Sequence, residues 1–213
     1  KPEHVTVIMN CGDYENHRID SRKKINSQRE SFRVLYIGKI VRDRGLEEIS
    51  KAIKGLNKVE LIIAGTGVDK ELLEDLVKLP KIRYNGLLKY QETIDLIYNS
   101  DVLISLYDPK VPNNRFSYSN KLFEAMMCGL PIITNVSSDI VKDEVDCGVG
   151  VDYDDLNQIK SAIITLRNDP ELRKKFANNG RHAFLQKYNW KNMESKLFEI
   201  YESLIPQMGV KGV

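Results

Sequence analysis

The stretch SYSNKLFEAMMCGLPIIT (117–134) brings together side chains that could hold a small anionic ligand. It runs from a polar loop into an apolar helical pattern, then through Gly-Leu-Pro into a short β-branched strand. Ser117, Ser119 and Asn120 are of the types that cap helix N-termini. Their loop would present free backbone N–H groups at the positive end of a helix. Lys121 adds a cation. Glu124 falls one turn into the helix, within reach of a ligand lying over the N-terminus. A carboxylate can accept a hydrogen bond on each oxygen, which suits the paired hydroxyls of a ribose. The competing reading of Glu124 is a helix-start carboxylate favoured by the dipole alone.

Two further loops have phosphate-binding character. In IGKIVRDRG (37–45), Gly38 permits a tight exit from a strand. Lys39, Arg42 and Arg44 then put cations near a helix N-terminus, where phosphate oxygens are already favoured. A solvated basic loop is the plain alternative. AGTG (64–67) is a lone Gly-x-Gly without the third glycine of a dinucleotide fingerprint, which argues against an NAD-binding domain.

These loops need a scaffold, and the hydrophobic pattern supplies one. VTVIM (5–9) is strand-like, and residues 10–31 are polar without apolar periodicity, as in a linker. Strands are predicted at 32–38, 59–65, 82–86, 101–107, 131–134 and 149–153. Helices are predicted at 45–56, 68–78, 90–99, 119–128, 155–167, 170–187 and 190–205, with a weak one at 138–145 and a loop at 108–118. Strand DVLISLY (101–107) is almost wholly apolar, as expected when both faces are covered. Alternating strands and helices imply an α/β fold, a Rossmann-like doubly wound parallel sheet. Ligands in such sheets bind at the carboxyl ends of the strands, where all three loops fall. In the last helix Trp190, Met193, Leu197, Tyr201 and Leu204 form an apolar stripe, part of which is expected to stay uncovered by this chain.

Composition narrows the classes. With 213 residues, 42% of them hydrophobic and 29% charged, the chain is of globular type. A net charge of +2 does not argue for nucleic acid. No apolar run approaches the roughly 20 residues of a membrane span, and the first residues do not resemble a signal peptide. Cys11, Cys128 and Cys147 are an odd, widely spaced set, better suited to reduced thiols in a cytoplasm than to a disulfide framework. With His4, His17 and His182 scattered, no metal site is expected.

Taken in order, these motifs resemble the C-terminal, donor-binding domain of a GT-B fold glycosyltransferase of the family 4 (group 1) type. HVTVIMNCGD (4–13) is similar to the segment joining the two domains in that family. GKIVRDRGLEEISKAI (38–53) is similar to its basic loop and following helix. SYSNKLFEAMMCGLPIIT carries its Lys-x-x-Glu-Ala-Met-x-x-Gly-x-Pro core, and WKNMESKLFEIYESL (190–204) looks like its closing helix. The resemblance implies substrate-binding roles for Gly38, Lys39, Arg44, Leu88, Ser119, Asn120, Lys121 and Glu124, and no catalytic residue in this half. Lys39 and Arg44 match the pair that holds the pyrophosphate, and Ser119 and Asn120 match loop positions whose amides meet phosphate. Glu124 matches the ribose-binding Glu, and Leu88 falls where the base is framed. Two positions depart from the family pattern. Phe116 stands where many members have the first Glu of Glu-x7-Glu, and Lys39 stands where Arg is usual, which loses a bidentate fork.

The resemblance further implies transfer of a hexosyl group from a UDP- or GDP-sugar to an acceptor, with retention, without metal or other cofactor and without nucleic acid. The expected parts are an interdomain strand and linker (1–31), a nucleotide-sugar-binding domain (32–189) and a crossing helix with tail (190–213). The chain begins at the interdomain strand, so an acceptor-binding half is expected elsewhere, and this part alone is expected not to turn over. A cytoplasmic location follows, at the inner face of a membrane if the acceptor half attaches there. The competing functions are a sugar-nucleotide epimerase or hydrolase half on the same fold and a non-catalytic nucleotide-binding or scaffold module.

Overall fold

Strands apolar on both sides need cover on both faces, and the chain provides it. The computed structural model describes residues 5–13, 30–67, 69–115, 118–137 and 139–204. In order these form β1 (Phe32–Ile37), α1 (Leu46–Ile53), β2 (Val59–Ala64), α2 (Lys70–Val77), β3 (Ile82–Tyr84), α3 (Tyr90–Tyr98), β4 (Val102–Ser105), a short α4 (Pro112–Arg115), α5 (Asn120–Cys128) and β5 (Ile132–Thr134). A π-helical turn (Asp139–Glu144), β6 (Gly148–Gly150), α6 (Leu156–Asn168), α7 (Pro170–Gln186) and α8 (Trp190–Leu204) follow.

The sheet order is β3-β2-β1-β4-β5-β6, and all pairings are parallel, with Phe32 opposite Val59, Val34 opposite Val102 and Leu103 opposite Ile132. Successive side chains point to opposite faces. Val34, Tyr36, Leu61, Ile63, Val102 and Ile104 therefore join Leu46, Ile49, Leu72 and Ile159 of α1, α2 and α6 in one core. Leu35, Ile62, Leu103 and Ile132 join Ile94, Phe123, Ile140, Phe184 and Met193 in the other. The chain runs outward through β1, β2 and β3, then returns to lay β4 beside β1. The strand order reverses there, and in sheets of this kind ligands bind at such a switch point, outside the carboxyl ends of the strands.

Three expectations need correction. Residues 5–9 form no strand among the described residues. Val5 and Val7 are exposed, whereas Ile8 and Met9 pack into the second core. The segment is pinned to α8, with the Met9 N–H 3.4 Å from Met193 Sδ and the Trp190 N–H donating to the Gly12 carbonyl at 3.1 Å. An alternating pattern makes a strand only beside a partner edge, and here a helix supplies the partner. The expected loop at 108–118 contains α4, started by a proline that fits the first helical position. The weak helix at 138–145 is a π-helical turn. Most of the linker, together with Phe116 and Ser117, lies outside the described residues.

The stripe on α8 divides as expected. Met193 is buried and Trp190 and Leu197 are half-buried, but Tyr201 and Leu204 are 58% and 70% exposed. The three cysteines are free and buried, and burial pushes each thiol up to about 12.

Candidate functional site

At the exit of β1 the backbone itself makes the closest contact. The Gly38 N–H donates to the Ala64 carbonyl at 3.0 Å. A Cβ on Gly65, whose φ is +137°, would sit 1.9 Å from the Gly38 carbonyl oxygen. Only glycine lets the β1 and β2 exits touch in this way. The Tyr36 hydroxyl then donates to the Lys39 carbonyl at 2.6 Å and fixes the turn. The Lys39 residue is exposed just beyond it.

The basic loop divides its arginines. Residues Arg42–Arg44 form a 3-10 turn that ends on Gly45 at φ +69°. Arg42 points to carboxylates, with Glu47 at 2.6 Å, Asp69 at 3.2 Å and Glu71 at 3.4 Å. Arg44 instead donates to Asn114 Oδ1 at 2.8 Å and lies 4.3 Å above the centre of the Tyr107 ring, with Asp43 at 3.3 Å. Asn114 is buried, and its amide donates to the Asp108 carbonyl at 3.0 Å and to Asp43 at 3.3 Å.

Ser119 caps α5, with its Oγ accepting from the Lys121 N–H at 3.2 Å. That hydroxyl is buried and shared with Ser105 Oγ at 3.0 Å and the Tyr107 hydroxyl at 3.1 Å. The Ser119 side chain thus faces the sheet, and only its backbone and that of exposed Asn120 are placed to meet a ligand. Lys121 Nζ donates to both oxygens of Glu124, at 3.0 and 2.9 Å. The two side chains are 22% and 13% exposed. The lysine keeps the carboxylate oriented, and each oxygen retains a second lone pair for an incoming hydroxyl. This i,i+3 pair is legible from the spacing alone.

Leu88 is half-buried two residues before Tyr90, the first residue of α3, and α3 packs on α5. Burial, and after it the charge of Glu124, push the Tyr90 hydroxyl up to about 12. The structure therefore gathers Gly38, Lys39, Arg44, Ser119, Asn120, Lys121 and Glu124 along the carboxyl ends of β1 and β4, with Leu88 farther out beyond β3. Sequence reading did not single out Tyr107, Asn114 or Tyr90. The position of Tyr107 at the end of a fully apolar strand is a usable signal, but Asn114 meets Arg44 across 70 residues of chain and gives none. Among the described residues, no group of three or more His, Cys, Asp or Glu is placed to hold a metal. No helix among them is long and apolar enough to cross a membrane.

This architecture is the Rossmann-like C-terminal half of a GT-B fold. Sucrose-phosphate synthase from Thermosynechococcus elongatus superposes with a TM-score of 0.74 at 22% identity, over 91% of this chain and 51% of that one. HepE from Anabaena, solved in complex with UDP-glucose, gives 0.70 at 16% identity, over 82% and 49%. The model of the group 1 glycosyl transferases matches residues 17–183, and the chain belongs to that family. It is 24% identical over 204 residues to an uncharacterized glycosyltransferase, MJ1607, of Methanocaldococcus jannaschii, covering 90% of this chain and 50% of the relative. It is 26% identical over 196 residues to the capsular polysaccharide biosynthesis glycosyltransferase CapM of Staphylococcus aureus, covering 85% and 49%. The chain spans about half the length of the curated relatives it matches.

Proposed function

We propose that this chain binds the nucleotide diphosphate sugar, UDP- or GDP-linked, of a retaining hexosyl transfer, and that an acceptor-binding half completes the enzyme. Lys39, Arg44 and the N-terminus of α5 hold the diphosphate and stabilise the charge that grows on it as the glycosidic bond breaks. Gly38 lets the backbone approach, Ser119 and Asn120 offer amides, Glu124 takes the ribose hydroxyls and Leu88 frames the base. Neither metal nor other cofactor is assigned. Residues 1–31 and 190–213 link the halves, in the cytoplasm or at the inner membrane face.

The observation that carries this reading is Glu124. A mostly buried carboxylate, oriented by Lys121, stands one turn above a helix N-terminus at the switch point of the sheet. UDP and UDP-glucose in the HepE structures support the choice of ligand class. The test compares a ribonucleoside diphosphate with its 2′-deoxy form by titration calorimetry. Glu124→Ala should cost the ribonucleotide about 2 kcal/mol, Glu124→Gln less, and the Ala variant should no longer distinguish the deoxy form. A 2′-deoxy penalty that persists in Glu124→Ala would place ribose recognition elsewhere. Binding of no nucleoside diphosphate at all would return the chain to a scaffold role.

A further inference from the structure

Two parts of the proposed diphosphate site, the basic loop and the N-terminus of α5, are far apart in sequence and must keep a fixed spacing. Among the described residues, the Tyr107 side chain touches both. The Tyr107 ring lies under the Arg44 guanidinium at 4.3 Å, within the range of a cation–π contact. Its hydroxyl is 3.1 Å from Ser119 Oγ, the cap of α5. Its backbone is clamped by Asn135 at the exit of β5, whose amide accepts from the Tyr107 N–H and donates to the Tyr107 carbonyl, both at 2.8 Å. On the other side of Arg44, buried Asn114 accepts from the guanidinium and fixes its direction.

We infer that Tyr107 is a positioning residue that couples Arg44 to the α5 N-terminus, so that both meet one diphosphate in a set geometry. The inference rests on the nucleotide reading above and adds a residue that acts through two others. The planar ring carries the planar guanidinium without adding a further anion to Asp43, which lies 3.3 Å from Arg44. The hydroxyl ties that seat to the helix cap, and any shift of the basic loop is passed to the first turn of α5. A tyrosine that merely filled space would contribute to stability but would not distinguish phosphate from nucleoside.

The experiment titrates a nucleoside diphosphate and the matching nucleoside into the wild-type protein and its variants. Tyr107→Leu should weaken the diphosphate about tenfold through the lost guanidinium seat and leave the nucleoside unchanged. In an Arg44→Ala background the same change should cost about twofold or less, because coupled residues are not additive. Tyr107→Phe keeps the ring and should lose about threefold, the scale of one neutral hydrogen bond, and this loss should vanish in a Ser119→Ala background. Equal costs of Tyr107→Leu with and without Arg44 overturn the coupling. If Tyr107→Leu does not fold by circular dichroism, Tyr107→Phe decides, and wild-type binding by it overturns the coupling too. A wild-type protein that binds diphosphate, weakens with Arg44→Ala and ignores Tyr107→Leu sinks the coupling and leaves the nucleotide reading standing. A wild-type protein that binds no diphosphate removes both.

Discussion

At the two edges of one sheet, Arg173 and Arg181 on one side and Arg44 on the other are held by different partners. At the amino edge, Arg173 and Arg181 project from α7 onto backbone carbonyls. Arg173 reaches those of Leu166 and Arg167 near the end of α6, the latter at 3.0 Å, and Arg181 reaches that of Met127 near the end of α5. The last carbonyls of a helix lack partners and carry partial negative charge, so these arginines fasten three helices together. At the carboxyl edge, Arg44 rests on an aromatic face and a neutral amide, with Asp43 at 3.3 Å. The amino edge also holds a cleft of about 660 Å³, lined by Asp101, Cys128, Arg173 and Arg181 among others. Neither the size of an opening nor the number of its cations identifies a binding site. The partners that each cation already holds say more: Arg173 and Arg181 hold carbonyls, whereas Arg44 has a ring, an amide and the carboxylate of Asp43. Arg42 and Arg44 repeat the lesson two residues apart, the first surrounded by carboxylates and the second seated on Tyr107.

The sharpest way to break this contrast is at the backbone of the carboxyl edge. Gly65→Ala would put a methyl 1.9 Å from the Gly38 carbonyl oxygen. The variant should lose about 3 kcal/mol of stability, measured by urea unfolding, since neither strand exit can retreat from the sheet. A loss under about 1 kcal/mol would mean that the two exits separate easily, and that this edge is not the rigid platform described.

The next effects separate the edges by readout. Arg44→Ala and Lys39→Ala should each weaken nucleoside diphosphate binding by roughly 1.5–3 kcal/mol, the scale of a charge-assisted bond. The bare nucleoside should bind almost as before. Arg181→Ala should do the reverse, lowering stability by about 1 kcal/mol as the end of α5 loses its donor and leaving nucleotide affinity unchanged. If Arg181→Ala weakened binding as much as Arg44→Ala, the division between a structural and a ligand-facing edge would fail.

The sheet and most helices were legible because their information is local. DVLISLY, VELIIAG and FRVLYIG are apolar on both sides, and a chain that alternates such runs with helical periods has few folds open to it. The candidate site was legible as far as residue type and position extend: Glu124 one turn into α5, Lys39 and Arg44 after a strand. What failed to show was long-range. VTVIM has a strand's alternation, but its neighbour is Met193 on α8, which local pattern cannot supply. That Ser119 turns its hydroxyl inward depends on Ser105 and Tyr107. That Arg44 meets Tyr107 and one carboxylate, whereas Arg42 meets three, depends in part on Asn114, in a helix of four residues within the stretch expected as a loop.

The smallest effect tests whether an ion pair that involves none of the proposed ligand-binding residues acts on stability alone. Glu144 ends the π-helical turn just before β6, and its Oε1 accepts from Lys187 Nζ and, at 2.6 Å, from the buried Tyr188 hydroxyl. The Lys187 bond first, and the Tyr188 bond after it, hold the carboxyl below its ordinary value, against a smaller opposing push from burial. A carboxylate whose folded value is depressed contributes stability above its unfolded value, and that stability is lost as pH falls through the folded one. The side chain is 43% exposed, so solvent screening leaves only a few tenths of a kcal/mol. Glu144→Gln keeps an acceptor for Tyr188 and loses the charge that Lys187 reads. Thermal midpoints of the variant should therefore lie slightly below those of the wild type at neutral pH and meet them in acid, with the gap shrinking in high salt. Nucleotide affinity should not move. Curves that stay parallel at every pH would assign the loss to packing around Tyr188 rather than to the ion pair.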